Sequence, residues 1–184
     1  MTVQINYKSN SLKKNSNNLL LFVDEKFNIS SLKKLISSKE YSIINDLLKI
    51  SDKKKQIITF GISSKKTISL ISIKKNLKTS DAENLGAKLY DHLIKNNTKT
   101  ATINSETGSI NLKNFIGYFL HGLRLKSYIF DKYKTKKEKK NLSISVTGKN
   151  KPTLNEQIKF KALEEGTFAA RDLVSEPGNI LHPD

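Results

Sequence analysis

Along this chain, short apolar runs with the period of a β-strand alternate with longer segments that have helical periodicity. Residues 19–23, Leu-Leu-Leu-Phe-Val, are continuously apolar, which is typical of a central strand covered on both faces. Residues 3–7 and 142–146 instead alternate apolar and polar side chains, as half-buried strands do. Strands interleaved with helices in this way predict an α/β sheet with helices on both of its faces.

The remaining elements follow from the same patterns. Two capping boxes, Ser80-x-x-Glu83 and Thr153-x-x-Glu156, are predicted to begin helices, and Pro177 is predicted to end the last one. We predict further strands at residues 57–60, 67–73 and 100–104, and helices over 29–50 with a break near Ser37, over 80–93, over 112–128 and from 153 to 174. We therefore expect an α/β domain over residues 1–150, followed by a connector helix and junction over residues 151–184.

The positive charge of the chain favours a function in binding polyanions. The formal net charge is +16, and of the 33 basic residues only Arg124 and Arg171 are arginine. A strongly basic chain is typical of nucleic-acid-binding proteins. The candidate polyanion site is a lysine run close to Tyr133, formed by Lys132, Lys134, Lys136, Lys137, Lys139 and Lys140. The alternative is an exposed, solvated loop in a lysine-biased sequence, since lysine lacks the planar fork that reads base edges.

No constellation with catalytic spacing is visible. The three histidines, His92, His121 and His182, are not spaced as metal ligands, and His92 and His121 fall on predicted helices as packed or surface residues. There is no Gly-rich phosphate loop, no Gly-x-Ser-x-Gly elbow and no cysteine. The adjacent acidic pair Glu164-Glu165 is predicted to be solvated, because neighbours on a helix point in different directions.

The sequence also bears on location. The first residues contain no apolar segment of the kind that secretory signals carry. The longest apolar run is far shorter than the ~20 residues needed to cross a bilayer. Lack of cysteine fits a reducing compartment. We expect a cytoplasmic protein with no membrane partner.

Two segments carry a resemblance to a known family. Residues 169–184, Ala-Ala-Arg-Asp-Leu-Val-Ser-Glu-Pro-Gly-Asn-Ile-Leu-His-Pro-Asp, resemble the Ala-Arg-Asp-Leu-Val-Asn-x-Pro-x-Asn stretch at the domain junction of leucyl aminopeptidases. Ser175 stands where the family usually has Asn. Residues 122–135 contain Tyr-Ile-Phe-Asp-Lys-Tyr-Lys, which is similar to the family's Tyr-x-Phe-Asp-x-Tyr-Lys signature. Both arginines fall in these segments, which indicates a need for a planar, multi-donor side chain.

The resemblance implies a specific architecture. The N-terminal domain of this family resembles a macro-type α/β domain, here a mixed sheet of about six strands flanked by helices on both faces and followed by a linker helix. The family's C-terminal domain carries two divalent metals, zinc or manganese, and removes N-terminal amino acids from peptides. Its Asn-Thr-Asp-Ala-Glu-Gly-Arg motif does not occur in this chain. We therefore expect no catalytic, cofactor-binding or metal residue here.

The function implied is that of a non-catalytic N-terminal domain with a structural, assembly or regulatory role. Its implied partners are the missing catalytic domain and, in the parent protein, a hexamer. Some bacterial members bind DNA through their N-terminal regions, so a basic nucleic-acid-binding module is the alternative. A third hypothesis is that the macro-like fold binds ADP-ribose. The lack of a Gly-rich diphosphate loop argues against it.

Overall fold

A computed structural model describes residues 2–8, 17–106, 111–135, 141–178 and 180. The strands are β1 (Thr2–Tyr7), β2 (Asn18–Asp24), β3 (Ile57–Ser63), β4 (Lys66–Ile73), β5 (Thr100–Asn104) and β6 (Asn141–Thr147). The helices are α1 (Ser38–Ile50), α2 (Thr79–Lys95), α3 (Phe115–Lys126) and α4 (Leu154–Ser175), with a short 3₁₀ helix at Ser30–Lys34.

The strands form one six-stranded sheet in the order β1-β6-β5-β2-β4-β3. Every neighbouring pair is parallel except β3 with β4, which form an antiparallel hairpin at one edge. The connection from β4 to β5 contains α2 and that from β5 to β6 contains α3, since parallel strands need a crossover. The predicted mixed α/β sheet of about six strands is confirmed.

Helices cover both faces of the sheet, as predicted. On one face, α2 and α3 pack on β1, β2, β5 and β6 around an aromatic cluster of Phe22, Phe115 and Phe119. The Phe22 ring meets those of Phe115 and Phe119 edge-to-face, with centroids 5.1 and 5.2 Å away. On the other face, α1 and the 3₁₀ helix pack on β2 and β4. The residues of β2 point alternately into the two cores, which explains its continuous apolar sequence.

Two glycines set how closely α2 and α3 pack. A Cβ on Gly86 of α2 would collide with the carbonyl oxygen of Phe119, and one on Gly122 of α3 would collide with the carbonyl of Glu83. Both obstacles are backbone atoms, so they cannot move aside as a flexible side chain can. The helices therefore cross almost backbone to backbone, and this fixes the place of α3 on the sheet.

Most helix ends match the sequence patterns, and one differs. The predicted break near Ser37 is the start of α1, where Ser37 accepts from the Glu40 backbone N–H and Glu40 accepts in return. The predicted capping box at Ser80 and Glu83 is wrong, because α2 begins two residues earlier, with Lys78 as its N-cap. There the Asp81 carboxylate accepts from the backbone N–H of Lys78, at 3.1 Å, and satisfies a free donor at the helix start.

The last helix lies outside the two layers that cover the sheet. α4 contacts α3, and a glycine at the contact, Gly117 of α3, leaves the space that the Phe160 ring fills. The strand β1 ends the sheet on this side, and α4 passes its edge. Among the described ranges, no helix is long and apolar enough to cross a membrane.

Candidate functional site: the two faces of the last helix

The start and end of α4 are set by its own sequence. Thr153 and Glu156 form the predicted capping box, in which the Glu156 carboxylate accepts from the Thr153 backbone N–H at 2.8 Å. At the other end Glu176 adopts an extended conformation, with ψ at 138°. Pro177 enforces this, since a proline disfavours helical geometry in the residue before it. The result is a 22-residue helix, about 33 Å long.

The first half of α4 is anchored by a buried carboxylate. Glu164 is 5% exposed, and its Oε2 accepts from Arg124 Nε at 3.0 Å while its Oε1 lies 3.3 Å from His121 Nδ1. Arg124 also donates from Nη1 to the Val3 carbonyl oxygen at 2.6 Å. A single arginine therefore ties α4 and the edge of β1 to α3, which needs its several donors. The prediction that Glu164 is solvated is wrong, because it pairs on the inner side of the helix.

The pKa of a tyrosine beside this pair, Tyr7, is raised. Burial, and secondarily the negative charge of Glu164, raise the pKa of Tyr7 to about 12, which Arg124 partly offsets. Tyr7 therefore stays neutral at any physiological pH. It lines, with His121 and Glu164, a cleft of about 320 Å³ between β1, α3 and α4.

The second half of α4 is anchored by the other arginine. Arg171 donates from Nη1 to the Leu125 carbonyl oxygen at 2.7 Å, and its guanidinium lies over the Tyr128 ring, 5.4 Å from the centroid. Tyr128 donates to the Asp172 carboxylate at 2.7 Å, and its ring contacts that of Phe168. Arg171 thus satisfies an open carbonyl in the last turn of α3.

The lysine run begins in a contact with Glu176, the residue that follows α4. Lys132 donates from Nζ to Glu176 Oε1 at 2.6 Å, and Tyr133 donates to the other oxygen of Glu176. These hydrogen bonds lower the pKa of Glu176 and raise those of Lys132 and Tyr133. Lys132 is therefore paired with a carboxylate, and Lys134 is exposed. The other four predicted polyanion-binding residues, Lys136, Lys137, Lys139 and Lys140, lie outside the described residues.

The opposite face of α4 is exposed in the part of the chain that the structure describes, although Ile158 at one end of it borders the cleft beside β1. An apolar stripe runs along it, made of Ile158, Ala162, Gly166, Ala169 and Leu173. All five are exposed, Ile158 to 59% and Leu173 to 58%. At about 100° per residue, this stripe points away from the anchored residues Phe160, Glu164, Phe168 and Arg171. This helix buries charged side chains and exposes apolar ones. Its exposed face is therefore suited to contact another polypeptide.

The described residues offer no metal centre. Within the described ranges, no group of three or more histidines, cysteines or carboxylates is close enough to hold a metal ion. His121 is paired with Glu164, and the Nε2 of His92 shares a 2.8 Å hydrogen bond with the Thr59 hydroxyl. His182 lies outside the described residues. The donor set of this part of the chain therefore does not fit the two divalent metals that the resemblance implies for the parent protein.

Known proteins share parts of this sequence and this fold. No family model matches the chain. It is 35% identical over 107 residues to a probable cytosol aminopeptidase of Wolbachia pipientis, covering 55% of this chain and 20% of that protein. A second one, from Clostridium perfringens, is 26% identical over 88% of this chain and 33% of its own length. The fold matches a tomato leucine aminopeptidase with a TM-score of 0.74 and 16% identity, over 99% of this chain and 40% of the other.

The chain matches the N-terminal domain of the leucyl aminopeptidase family. It spans between a fifth and two fifths of the length of the relatives just described. The two segments that carry the sequence resemblance, which are far apart in the chain, meet in space at Tyr128, Arg171 and Asp172. Sequence reasoning found these segments but missed Glu164, since a charged residue next to another charged residue gives no sign of burial.

Proposed function

We propose that this chain is the non-catalytic N-terminal domain of a leucyl aminopeptidase, and that it positions the catalytic domain through α4. The observation that carries the proposal is the opposition of the two faces of α4. One face is fastened to the domain by Arg124, Glu164 and Arg171, and the other presents the uncovered apolar stripe. The partner we assign to the stripe is the polypeptide that follows, because the relatives are two and a half to five times as long as the matched part.

The small residues of the stripe support a helix or strand as the contacting element. Ala162, Gly166 and Ala169 have no side chain larger than a methyl group, and a Cβ on Gly166 would meet no atom within 4 Å. Small side chains allow a neighbouring backbone to approach closely. Burial of Ile158 and Leu173 at the two ends would stabilise the contact by about 1.5–3 kcal/mol each.

The experiment has two steps. The reading frame past Asp184 is determined first, and an acidic metal-binding domain is expected there; a stop at that codon would remove the proposal. The complete polypeptide is then made with Ala162→Glu, which introduces a charge at the centre of the stripe. Peptide hydrolysis with added manganese or zinc should fall at least about tenfold if the domains separate.

A matched control is available on the same helix. Ala170 is also an exposed alanine of α4, but lies about 80° further round from the centre of the stripe. Ala170→Glu should leave hydrolysis within about twofold of the parent, since exposed substitutions cost little. Equal losses for both variants would show that the stripe has no special role. The 184-residue chain alone should hydrolyse no peptide.

The domain boundaries, the assembly and the location of the protein are part of the same proposal. We place the domain over residues 1–150 and the connector over residues 151–184, with the metals in the following domain. Hexamer assembly and a cytosolic location are proposed from the leucyl aminopeptidase resemblance and from the name of the relatives, cytosol aminopeptidase.

The alternative, a basic nucleic-acid-binding module, has one observation in its favour, the net charge of +16. It predicts a salt-dependent affinity for duplex DNA, with a steep fall of the binding constant as salt rises. Fluorescence anisotropy with labelled duplex measures it, and Lys134→Glu should weaken binding more than Lys49→Glu on α1. Unchanged anisotropy at low salt would exclude this function.

A further inference from the structure

A second cavity, separate from α4's apolar stripe, opens at the carboxyl ends of β5 and β6. Its volume is about 330 Å³, and its lining includes Ser105, Lys113, Ile116, Asn150 and Lys151. In open parallel sheets, ligands bind in the crevice outside the carboxyl ends of the strands. The position of this cavity in the fold is therefore one where small molecules bind.

The helix α3 begins at this cavity with an uncapped end. Asn114, which precedes it, has a positive φ of 60°, and its side chain makes no capping hydrogen bond. The backbone N–H groups of Phe115 and Gly117 bond to the carbonyls of Leu112 and Asn114, while that of Ile116 has no acceptor among the described residues. No acidic residue lies in the first turn. The positive end of the helix dipole is thus left open to an anion.

A buried hydroxyl gives an independent sign of a ligand. Ser105 is 2% exposed and lines the cavity, and its Oγ has no hydrogen-bond partner among the described residues. Buried polar atoms are nearly always paired, so an unpaired hydroxyl needs an explanation. Gly148 leaves the space beside it, since a Cβ there would collide with Ser105 Oγ and with Glu106.

The charges around the cavity favour an anion. Lys113 is exposed and makes no ion pair or hydrogen bond with the described residues, and Lys151 donates to the Lys8 carbonyl without losing its charge. The nearby carboxylates are already engaged. Glu156 accepts from Thr153 in the cap of α4, and Glu106 accepts from the Lys149 backbone N–H at 2.9 Å. Glu156 also lines the cavity and keeps its negative charge, since its hydrogen bonds with Thr153 and, less strongly, the charge of Lys113 lower its pKa. The two lysines in the lining outnumber this one carboxylate, so the charge at the cavity is positive.

We propose that this cavity binds the phosphate group of a small phosphorylated molecule. The phosphate oxygens would accept from the Ser105 hydroxyl, from the Ile116 backbone N–H and from Lys113. A cavity of about 330 Å³ is larger than a phosphate group needs, and it lies at the lower end of the range for small-molecule sites. The remaining space therefore takes the organic part of the ligand.

The test is a titration of the ¹⁵N-labelled 184-residue chain, followed by amide spectra at constant ionic strength. Inorganic phosphate and ribose 5-phosphate are the probes, with chloride as the balancing anion. We expect saturable shifts centred on Ser105, Ile116 and Gly148, and tighter binding of ribose 5-phosphate than of inorganic phosphate. Equal affinity for the two probes would contradict a site for an organic phosphate.

Three variants separate the site from the general positive charge. Ser105→Ala and Lys113→Gln should each weaken ribose 5-phosphate binding about tenfold, as loss of a hydrogen bond to a charged group does. Lys49→Gln, on the opposite side of the sheet, should change it less than about twofold. Shifts spread over all surface lysines, or equal effects of the three variants, would overturn the proposal. The outcome is independent of whether a catalytic domain follows.

Discussion

The carboxylate of Glu164 and the guanidinium of Arg124 connect the last helix to the body of the domain, with 3.0 Å between Oε2 and Nε. Glu164 is buried on the inner side of α4, and Arg124 extends the connection to the Val3 carbonyl at the edge of β1. The last helix is therefore held through a charge rather than through an apolar contact alone.

Removing this carboxylate should destabilise the chain strongly. In Glu164→Gln, Arg124 and His121 lose their negative partner in a buried site, and breaking a buried pair from one side costs about 3–5 kcal/mol. Urea unfolding of the 184-residue chain measures the change. The adjacent Glu165, whose side chain is 65% exposed, gives the control. Glu165→Gln should alter the free energy of unfolding by less than about 0.5 kcal/mol, and similar losses for both would contradict the role of Glu164.

The raised pKa of Tyr7 predicts a loss of stability at high pH. Its pKa is about 12 in the folded chain against 10.0 for the free group. The folded state therefore holds the phenol proton more tightly, and this stabilisation is complete below pH 10 and is lost as the pH rises through 12. Tyrosinate absorbance of the parent minus that of Tyr7→Phe should show one group titrating near 12. A difference curve centred at 10 would contradict it.

Two glycines should respond to alanine with opposite signs. Gly86→Ala places a methyl against the Phe119 carbonyl oxygen, and separating α2 from α3 should cost about 3 kcal/mol or more. Gly166→Ala meets no atom within 4 Å and lies inside α4, so it should stabilise the 184-residue chain by about 0.5–1 kcal/mol. Thermal unfolding compares the two, and a gain in stability for Gly86→Ala would show that the close helix crossing is wrong.

The two arginines should protect different halves of α4. Arg171→Lys keeps the charge but loses the planar contact with Tyr128 and weakens the bond to the Leu125 carbonyl. Amide hydrogen exchange should then become faster in the helix after residue 166, while the turns around Glu164 change little. Arg124→Lys should show the reverse pattern. Uniform loss of protection along α4 in both variants would mean that the helix opens as one unit.

The sheet and most of its helices could be predicted because period and composition report burial directly. The apolar run of β2 and the alternation of β6 each correspond to the faces that the structure buries. The start of α2 was predicted wrongly because two acidic residues, Asp81 and Glu83, compete for the same role, and Asp81 is the one that reaches a free N–H.

The site was harder to predict, because its groups come from distant parts of the chain. Glu164 meets Arg124 across 40 residues, and Tyr128 meets Asp172 across 44. No local pattern contains such pairs. The apolar stripe of α4 was visible in the sequence, but its exposure was not, since periodicity identifies a face without saying what covers it.

The fastening of α4 at several points along its length has a geometrical consequence. Contacts at Glu164 and Arg171 in the helix, and at Glu176 just past its end, are spread over the second half of α4. A rod of about 33 Å pivoting by 10° about one end moves its other end by roughly 6 Å. Widely spaced attachments suppress that swing, so the chain beyond Pro177 starts from a defined point and heading. The direction of α4 relative to the sheet is therefore fixed by contacts within the chain itself.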